Sequence, residues 1–390
     1  MATRFDKVVD RRGTNSYKWD SSLRGDVLPL WVADMDFETA PCVVEALRRR
    51  VEHGVFGYVR VPETYYEALT GWFARKHGWK MRPEHVIYTS GVVPAISAII
   101  KAMTEPGDKV LVQTPVYNCF FSSIRNNGCE IVSSQLVNDG NRYTIDFEDF
   151  EKKASDERVK VFLLCNPHNP AGRVWTRDEL RQMGEICKRH HVFVVSDEIH
   201  CEFVFPGHQY VPYASVDPSF LPSAAICTSP SKAFNIAGLQ IANITATDDD
   251  VRKKIDKAIN INEVCDVNPF GVEALIAAYN QGESWLEELK AYIYGNYRYA
   301  REYIESEMPE LRTNEMEGTY LLWIDTKAMR QSSEELESAM LEEVGLWLNS
   351  GSMYGDAGEG YMRMNLACPR QTLTEALRRM KRYYDRRLQK

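Results

Sequence analysis

Between residues 85 and 197 the chain alternates short, continuously apolar runs with helical segments. No other feature of its 390 residues restricts the fold as strongly. The runs are HVIYT (85–89), KVLVQ (109–113), EIVSSQL (130–136), VKVFLLC (159–165) and VFVVS (192–196). Between them, PAISAIIKAM and the segments 146–155 and 176–190 carry helical spacing. Strands covered on both faces read as unbroken apolar runs, and parallel strands need crossover helices to connect them. The expectation is a doubly wound, mostly parallel α/β sheet with right-handed crossovers.

The flanks read differently. The first 35 residues show little periodicity and lead into the apolar-rich LPLWVADMDF (28–37). A helix is expected from Thr39 and Pro41 through Val51, stopping at Gly54, and a second over 62–77 with Gly78 behind it. Beyond residue 280 a long helix (283–308) precedes TYLLWID (319–325), a helix (333–344), YMRMNLA (361–367) and a terminal helix, the order of a smaller α+β domain. A length of 390 exceeds what one core usually fills. The expected division is an N-terminal segment, 1–48, joining the small domain; a large domain, 49–282; and a C-terminal small domain, 283–390.

With 47 basic and 55 acidic side chains the formal net charge is −8. The one basic stretch, LRRMKRYYDRRLQK, reads as the solvated face of the terminal helix, so no nucleic-acid partner is expected. Nine cysteines, at 42, 119, 129, 165, 187, 201, 227, 265 and 368, are odd in number and none has C-x-x-C spacing. They suggest neither a disulfide framework nor a metal site. The N-terminus lacks an apolar signal core and no run approaches a membrane span. A reduced, cytoplasmic protein is expected.

Four segments could carry chemistry. In SPSKAFNIAG, Lys232 follows small hydroxyl residues and precedes an apolar stretch that could desolvate its amine and free it for Schiff-base formation. Taken alone, a lysine packed by its stem is the commoner case. In VVSDEIH, Asp197 ends a strand, where open α/β sheets bind ligands, although an aspartate there also caps turns. In CNPHNPAG, two Asn-Pro pairs force an irregular loop that can present Asn169, or serve as punctuation only. Ser90-Gly91-Val92-Val93-Pro94 is a strand-to-helix turn whose N–H groups could hold a phosphate.

In this order and spacing, HNPAG, SDEIH and SPSKAFNIAG resemble the fold-type-I pyridoxal-phosphate enzymes, the aspartate-aminotransferase superfamily, over nearly the whole chain. The resemblance implies pyridoxal 5'-phosphate as cofactor, with Lys232 as its Schiff-base lysine and proton shuttle. It places Asp197 on the pyridinium nitrogen, Asn169 on the phenolic oxygen and Tyr117 stacked on the ring. Phosphate would rest on the backbone of Gly91, Val92 and Val93 with the Ser229 and Ser231 hydroxyls. Tyr58 would reach it from a neighbouring subunit, implying a homodimer with shared sites. Arg363, in YMRMNLA, would grip the substrate's α-carboxylate, with Ala33 near it.

Two positions depart from aminotransferases. Gln240 stands where many have a phosphate-binding arginine, and His200 stands beside the cofactor where a tyrosine is common. With PLWVADMDF, SGVVPAIS, SDEIHCEF, SKAFNIAGLQ and ACPR, they make the chain similar to the MalY/PatB-type cystathionine β-lyases, or C–S lyases. That branch implies α,β-elimination on L-cystathionine or related cysteine S-conjugates, giving a thiol, pyruvate and ammonia. An amino-acid aminotransferase, and a cofactor-binding regulatory protein with secondary lyase activity, remain the alternatives.

Overall fold

The computed structural model describes residues 3–22, 24–261, 263 and 266–388. Its central sheet has seven strands in the spatial order Val86–Thr89, Ala242–Thr245, Ala224–Thr228, Phe193–Asp197, Val159–Cys165, Lys109–Thr114, Glu130–Gln135. Every pairing is parallel except the two made by Ala242–Thr245, which runs antiparallel to both neighbours. Successive side chains leave a strand on opposite faces, and here each face has its own apolar cluster. Leu111, Phe162, Leu164, Val194 and Ile226 enter one cluster. Val110, Val112, Val161, Leu163, Val195 and Ala225 enter the other. Burial on both sides is why these strands read as continuous apolar runs.

All five expected strands are present. TYLLWID yields only Leu321–Asp325, because Thr319 takes a φ of +68° and turns its N–H onto the Phe203 carbonyl at 2.8 Å. YMRMNLA ends at Asn365, whose side-chain oxygen accepts from Ala367 N at 2.8 Å. The strand Ala242–Thr245 and the helices Asp249–Asn260 and Pro269–Gln281 were not among the expectations. Ala224–Thr228 and Ala242–Thr245 lie side by side, so the chain from Ser229 to Ile241 loops out at the strand's carboxyl end and returns. Lys232 sits on that loop.

A second, four-stranded antiparallel sheet orders Arg312–Thr313, Leu321–Asp325, Tyr361–Asn365 and Asn349–Ser350. Leu28–Pro29 pairs in parallel with Leu346–Trp347 beside it. From there residues 31–37 run along the junction between the two sheets. A network pins this segment: Arg11 Nη2 donates to Asp34 at 2.7 Å, while Arg11, Lys18 and Trp19 all donate to Asp36 at 2.8–2.9 Å.

The sheets are also joined at Glu317. Its Oε2 accepts from Arg173 Nε at 3.0 Å and Val174 N at 2.8 Å, with both Glu317 and Arg173 wholly buried. The next residue must be glycine, since a Cβ at Gly318 would stand 2.6 Å from the Phe203 carbonyl oxygen. Elsewhere, His77 and Trp72 of helix Glu63–His77 both engage Glu202 Oε1, at 2.8 and 2.7 Å. Among the described residues no helix is long and apolar enough to cross a membrane.

Candidate active site

A cavity of about 190 Å³ opens where the carboxyl ends of Val159–Cys165 and Phe193–Asp197 meet the start of helix Val92–Met103. The fold brings ten of the expected residues to its walls: Ala33, Gly91, Val92, Val93, Tyr117, Asn169, Asp197, His200, Ser231 and Lys232. They come from segments far apart in sequence; the ends of the central strands collect most of them, and the segment 31–37 brings Ala33.

Lys232 Nζ donates to the Ala33 carbonyl at 2.6 Å. Burial pulls its pKa down to about 8; the nearby Arg363 adds to the drop, and the Asp34 and Asp197 carboxylates oppose it. Burial likewise pushes Asp197 up to about 7, although Ile199 N donates to its Oδ1 at 3.1 Å. His200 lies one turn further on. Burial, then Lys232 and Arg363, hold its pKa well below the usual range, so the ring is neutral, and its Nδ1 is buried without a partner. Glu198, between them, points the other way and accepts from Ser196 Oγ at 2.8 Å and Tyr213 N at 2.9 Å, which fixes the turn. Burial keeps the Tyr117 hydroxyl protonated.

The Asn169 loop is rigid for local reasons. Asn166 Nδ2 donates to Val211 O at 3.1 Å, and His168 Nε2 meets Pro115 O at 2.8 Å. Asn169 Oδ1 accepts from Arg363 Nη1 at 3.1 Å, which leaves the amide N–H groups as its donors. Arg363 is buried beside the cavity. Its Nη2 donates to Trp31 O at 2.7 Å, its carbon lies 5.0 Å from the Tyr354 ring centre, and its Nε has no partner.

One expectation meets a different arrangement. Ser229 does not line the cavity: its hydroxyl donates to Ile241 O at 2.6 Å and accepts from Ser231 N at 3.0 Å, which ties the two ends of the lysine loop together. That proton is therefore spent within the loop, and of the two serines only Ser231 faces the space. Tyr58 is 94% exposed on the extended segment between helices Pro41–His53 and Glu63–His77, away from its own chain's cavity. Gln240 is exposed at a φ of +51°. Two residues escaped the sequence reading: Tyr320, whose hydroxyl donates to Ala33 O at 2.9 Å, and Asp34, whose Oδ1 is buried without a hydrogen-bond partner. Tyr320 lies in an apolar run indistinguishable from core strand, so no signal marked it.

The aminotransferase class I and II pattern matches residues 25–380 of this chain. The chain belongs to that family. Within it, the chain is 43% identical to cystathionine beta-lyase PatB of Bacillus subtilis (strain 168), over 97% of its own length and 98% of the relative's. It is 34% identical to protein MalY of Escherichia coli (strain K12), covering 96% of each. The crystal structure of the PLP-bound C-S lyase from Staphylococcus hominis superposes with a TM-score of 0.93 at 32% identity, over 99% of this chain and all of that one. Family membership and the mostly parallel α/β fold thus rest on nearly the entire chain.

Proposed function

We propose that this family member is a pyridoxal-phosphate-dependent carbon–sulfur lyase that performs α,β-elimination on L-cystathionine or a related cysteine S-conjugate. The observation that carries the reading is the pair of buried groups lining one cavity: a lysine amine lowered to about 8 and a carboxyl raised to about 7. An uncompensated buried carboxylate is costly, and a ring nitrogen that carries a proton beside it would remove that cost. His200 Nδ1, also buried and unpartnered, and the first N–H groups of helix Val92–Met103, which have no helical acceptors, fit the remaining polar edges of the same group.

In this reading each residue has a task. Asp197 would hold the proton on the ring nitrogen, and Asn169 and His200 would meet the phenolic oxygen. The Tyr117 ring would cover one face. Gly91, Val92, Val93 and Ser231 would hold the phosphate, with Ser229 bracing Ser231. Arg363 binds the substrate carboxylate in the recess by Ala33, where a planar fork suits a planar anion. Once displaced by the substrate amine, Lys232 takes the proton from Cα, and an amine of pKa about 8 is free base in a useful fraction near neutral pH. When bound, the cofactor supplies the sink for the electron pair left at Cα, from which a thiolate departs at Cβ. Aminoacrylate is then released and hydrolyses to pyruvate and ammonia.

The active unit in this reading is a homodimer. Val55, Phe56 and Tyr58 are more than half exposed on one extended segment, a location suited to a partner subunit's site. The described cysteines are all free thiols and six are buried, as a reducing compartment keeps them, and we place the enzyme in the cytoplasm; Cys265 lies outside the described residues. We also begin the large domain at Pro41 instead of residue 49, because a 48/49 boundary would cut the continuous helix Pro41–His53, which packs on Pro269–Gln281.

The test is pyruvate release from L-cystathionine with pyridoxal phosphate and no keto acid. Sustained release matched by thiol and ammonia supports elimination. Turnover only when a keto acid is supplied makes the chain an aminotransferase. Lys232→Ala should abolish either activity, and borohydride should no longer fix the cofactor to the protein.

A further inference from the structure

The Ala33 carbonyl oxygen accepts two hydrogen bonds, from Lys232 Nζ at 2.6 Å and from the Tyr320 hydroxyl at 2.9 Å. A carbonyl oxygen offers two lone pairs, so this acceptor is saturated. Its direction does not depend on Tyr320, because the backbone on either side is pinned separately. Trp31 O accepts from Arg363 and Asn349, Val32 O and Asp34 O both accept from Asn365 Nδ2 at 2.6 Å, and Met35 N donates to Asn235. Tyr320 is fully buried, its ring edge-on to His200 and Phe203 with centres 5.6 and 5.0 Å away. Burial pushes its own pKa up, so the hydroxyl keeps its proton and remains a donor.

We propose that Tyr320 is a positioning residue for Lys232: by occupying one lone pair of the Ala33 carbonyl, it limits how firmly that carbonyl holds the lysine as an ammonium and keeps the amine available as a base. This rests on the reading of Lys232 as the group that takes the Cα proton. With the hydroxyl absent, both lone pairs serve the ammonium, and a hydrogen bond to the charged form favours that form. The other groups that act on Lys232 are Asp34, Asp197, Arg363, Cys119 and His200, and a change confined to one hydroxyl leaves them in place.

The test compares the full-length protein with Tyr320→Phe, and with 3-fluorotyrosine at 320, a stronger donor of the same shape. Acetic anhydride labelling of the cofactor-free chain, read by mass spectrometry at the Lys232 peptide across pH, measures the amine directly. In Tyr320→Phe the labelling rate at pH 7 should fall about threefold, the equivalent of half a pKa unit. In the holoenzyme the acid limb of kcat should move up by the same amount, with KM and the high-pH plateau of kcat unchanged. The fluorotyrosine protein should shift both in the opposite sense. Labelling curves that superimpose on the wild type, or shifts of one sign in both variants, would overturn the proposal. A labelling shift in a protein that releases no pyruvate would support it while removing the lyase reading; pyruvate release without a labelling shift would do the reverse.

Discussion

Asp197 and Lys232 line the same cavity with pKa values displaced in opposite senses, and both displacements cost stability when the cofactor is absent. Asp197 titrates at about 7 when folded against 3.8 ordinarily, so between those values the folded chain holds the extra proton. Stability of the cofactor-free protein therefore falls as pH rises through that window and stays lower above it. Lys232 titrates at about 8 against 10.5, which adds a loss as pH falls from 10.5 to 8. Asp197→Asn is thus expected to raise the thermal midpoint of the cofactor-free protein at pH 8 by a few degrees, seen by calorimetry. The same change should lower pyruvate release about 100-fold or more, since the amide cannot hold a cationic ring nitrogen. Arg363→Lys should raise KM for the amino acid about 10- to 100-fold, because a point charge reproduces neither the planar guanidinium nor the bonds to Asn169 and Trp31 O that orient it. Steady-state kinetics at saturating cofactor measures it. At this scale the sequence was informative wherever a motif carries its own local geometry, as in HNPAG or SDEIH. It was silent on Tyr320, whose importance comes from one carbonyl 287 positions away.

The elements differ in how plainly they announce themselves. Helix Ser333–Val344 has Ser332 as N-cap with Glu335 completing a capping box, and Gly345 in the left-handed region as stop, so its bounds were legible. Helix Pro269–Gln281 was not. Its buried positions include Gly271, Ala274, Ala277 and Ala278, small residues spread around the axis instead of an apolar stripe on one face. The strand Ala242–Thr245 was hidden because four residues, one of them a buried asparagine bonded to Tyr65, carry no periodicity. Between the sheets, Glu317 joins Arg173, Val174 and Arg142. Burial pushes its carboxyl up, but Arg173, the Val174 N–H and Arg142 outweigh that and hold it below the usual range. Its stabilising effect is present above about pH 4.5 and is lost as pH falls through its folded value. Glu317→Gln takes the shared carboxylate from Arg173 and Arg142 while Arg173 keeps Glu179, and should cost about 2 kcal/mol, read by urea unfolding.

For the whole molecule, the segment from Val55 to Tyr58 gathers three of the exposed large apolar side chains. Phe56 is 56% exposed, its ring tilted against Phe270 with ring centres 5.7 Å apart. On the homodimer proposed above, Phe56→Asp should shift the protein toward monomer in light scattering and reduce lyase turnover in proportion, while the far-ultraviolet circular dichroism is retained. The sequence by itself determined the layered fold, because continuous apolar runs separated by helices have few ways to bury both faces. It also determined which residue types could perform the chemistry. Only the tertiary structure decided that one antiparallel strand returns beside Ala224–Thr228, that Ser229 spends its hydroxyl within its own loop, and that Tyr320 and Lys232 meet on one oxygen. The physical reason is range. Periodicity and capping act over a few residues and leave marks in the chain, whereas a hydrogen bond between distant segments depends on where packing sets them down.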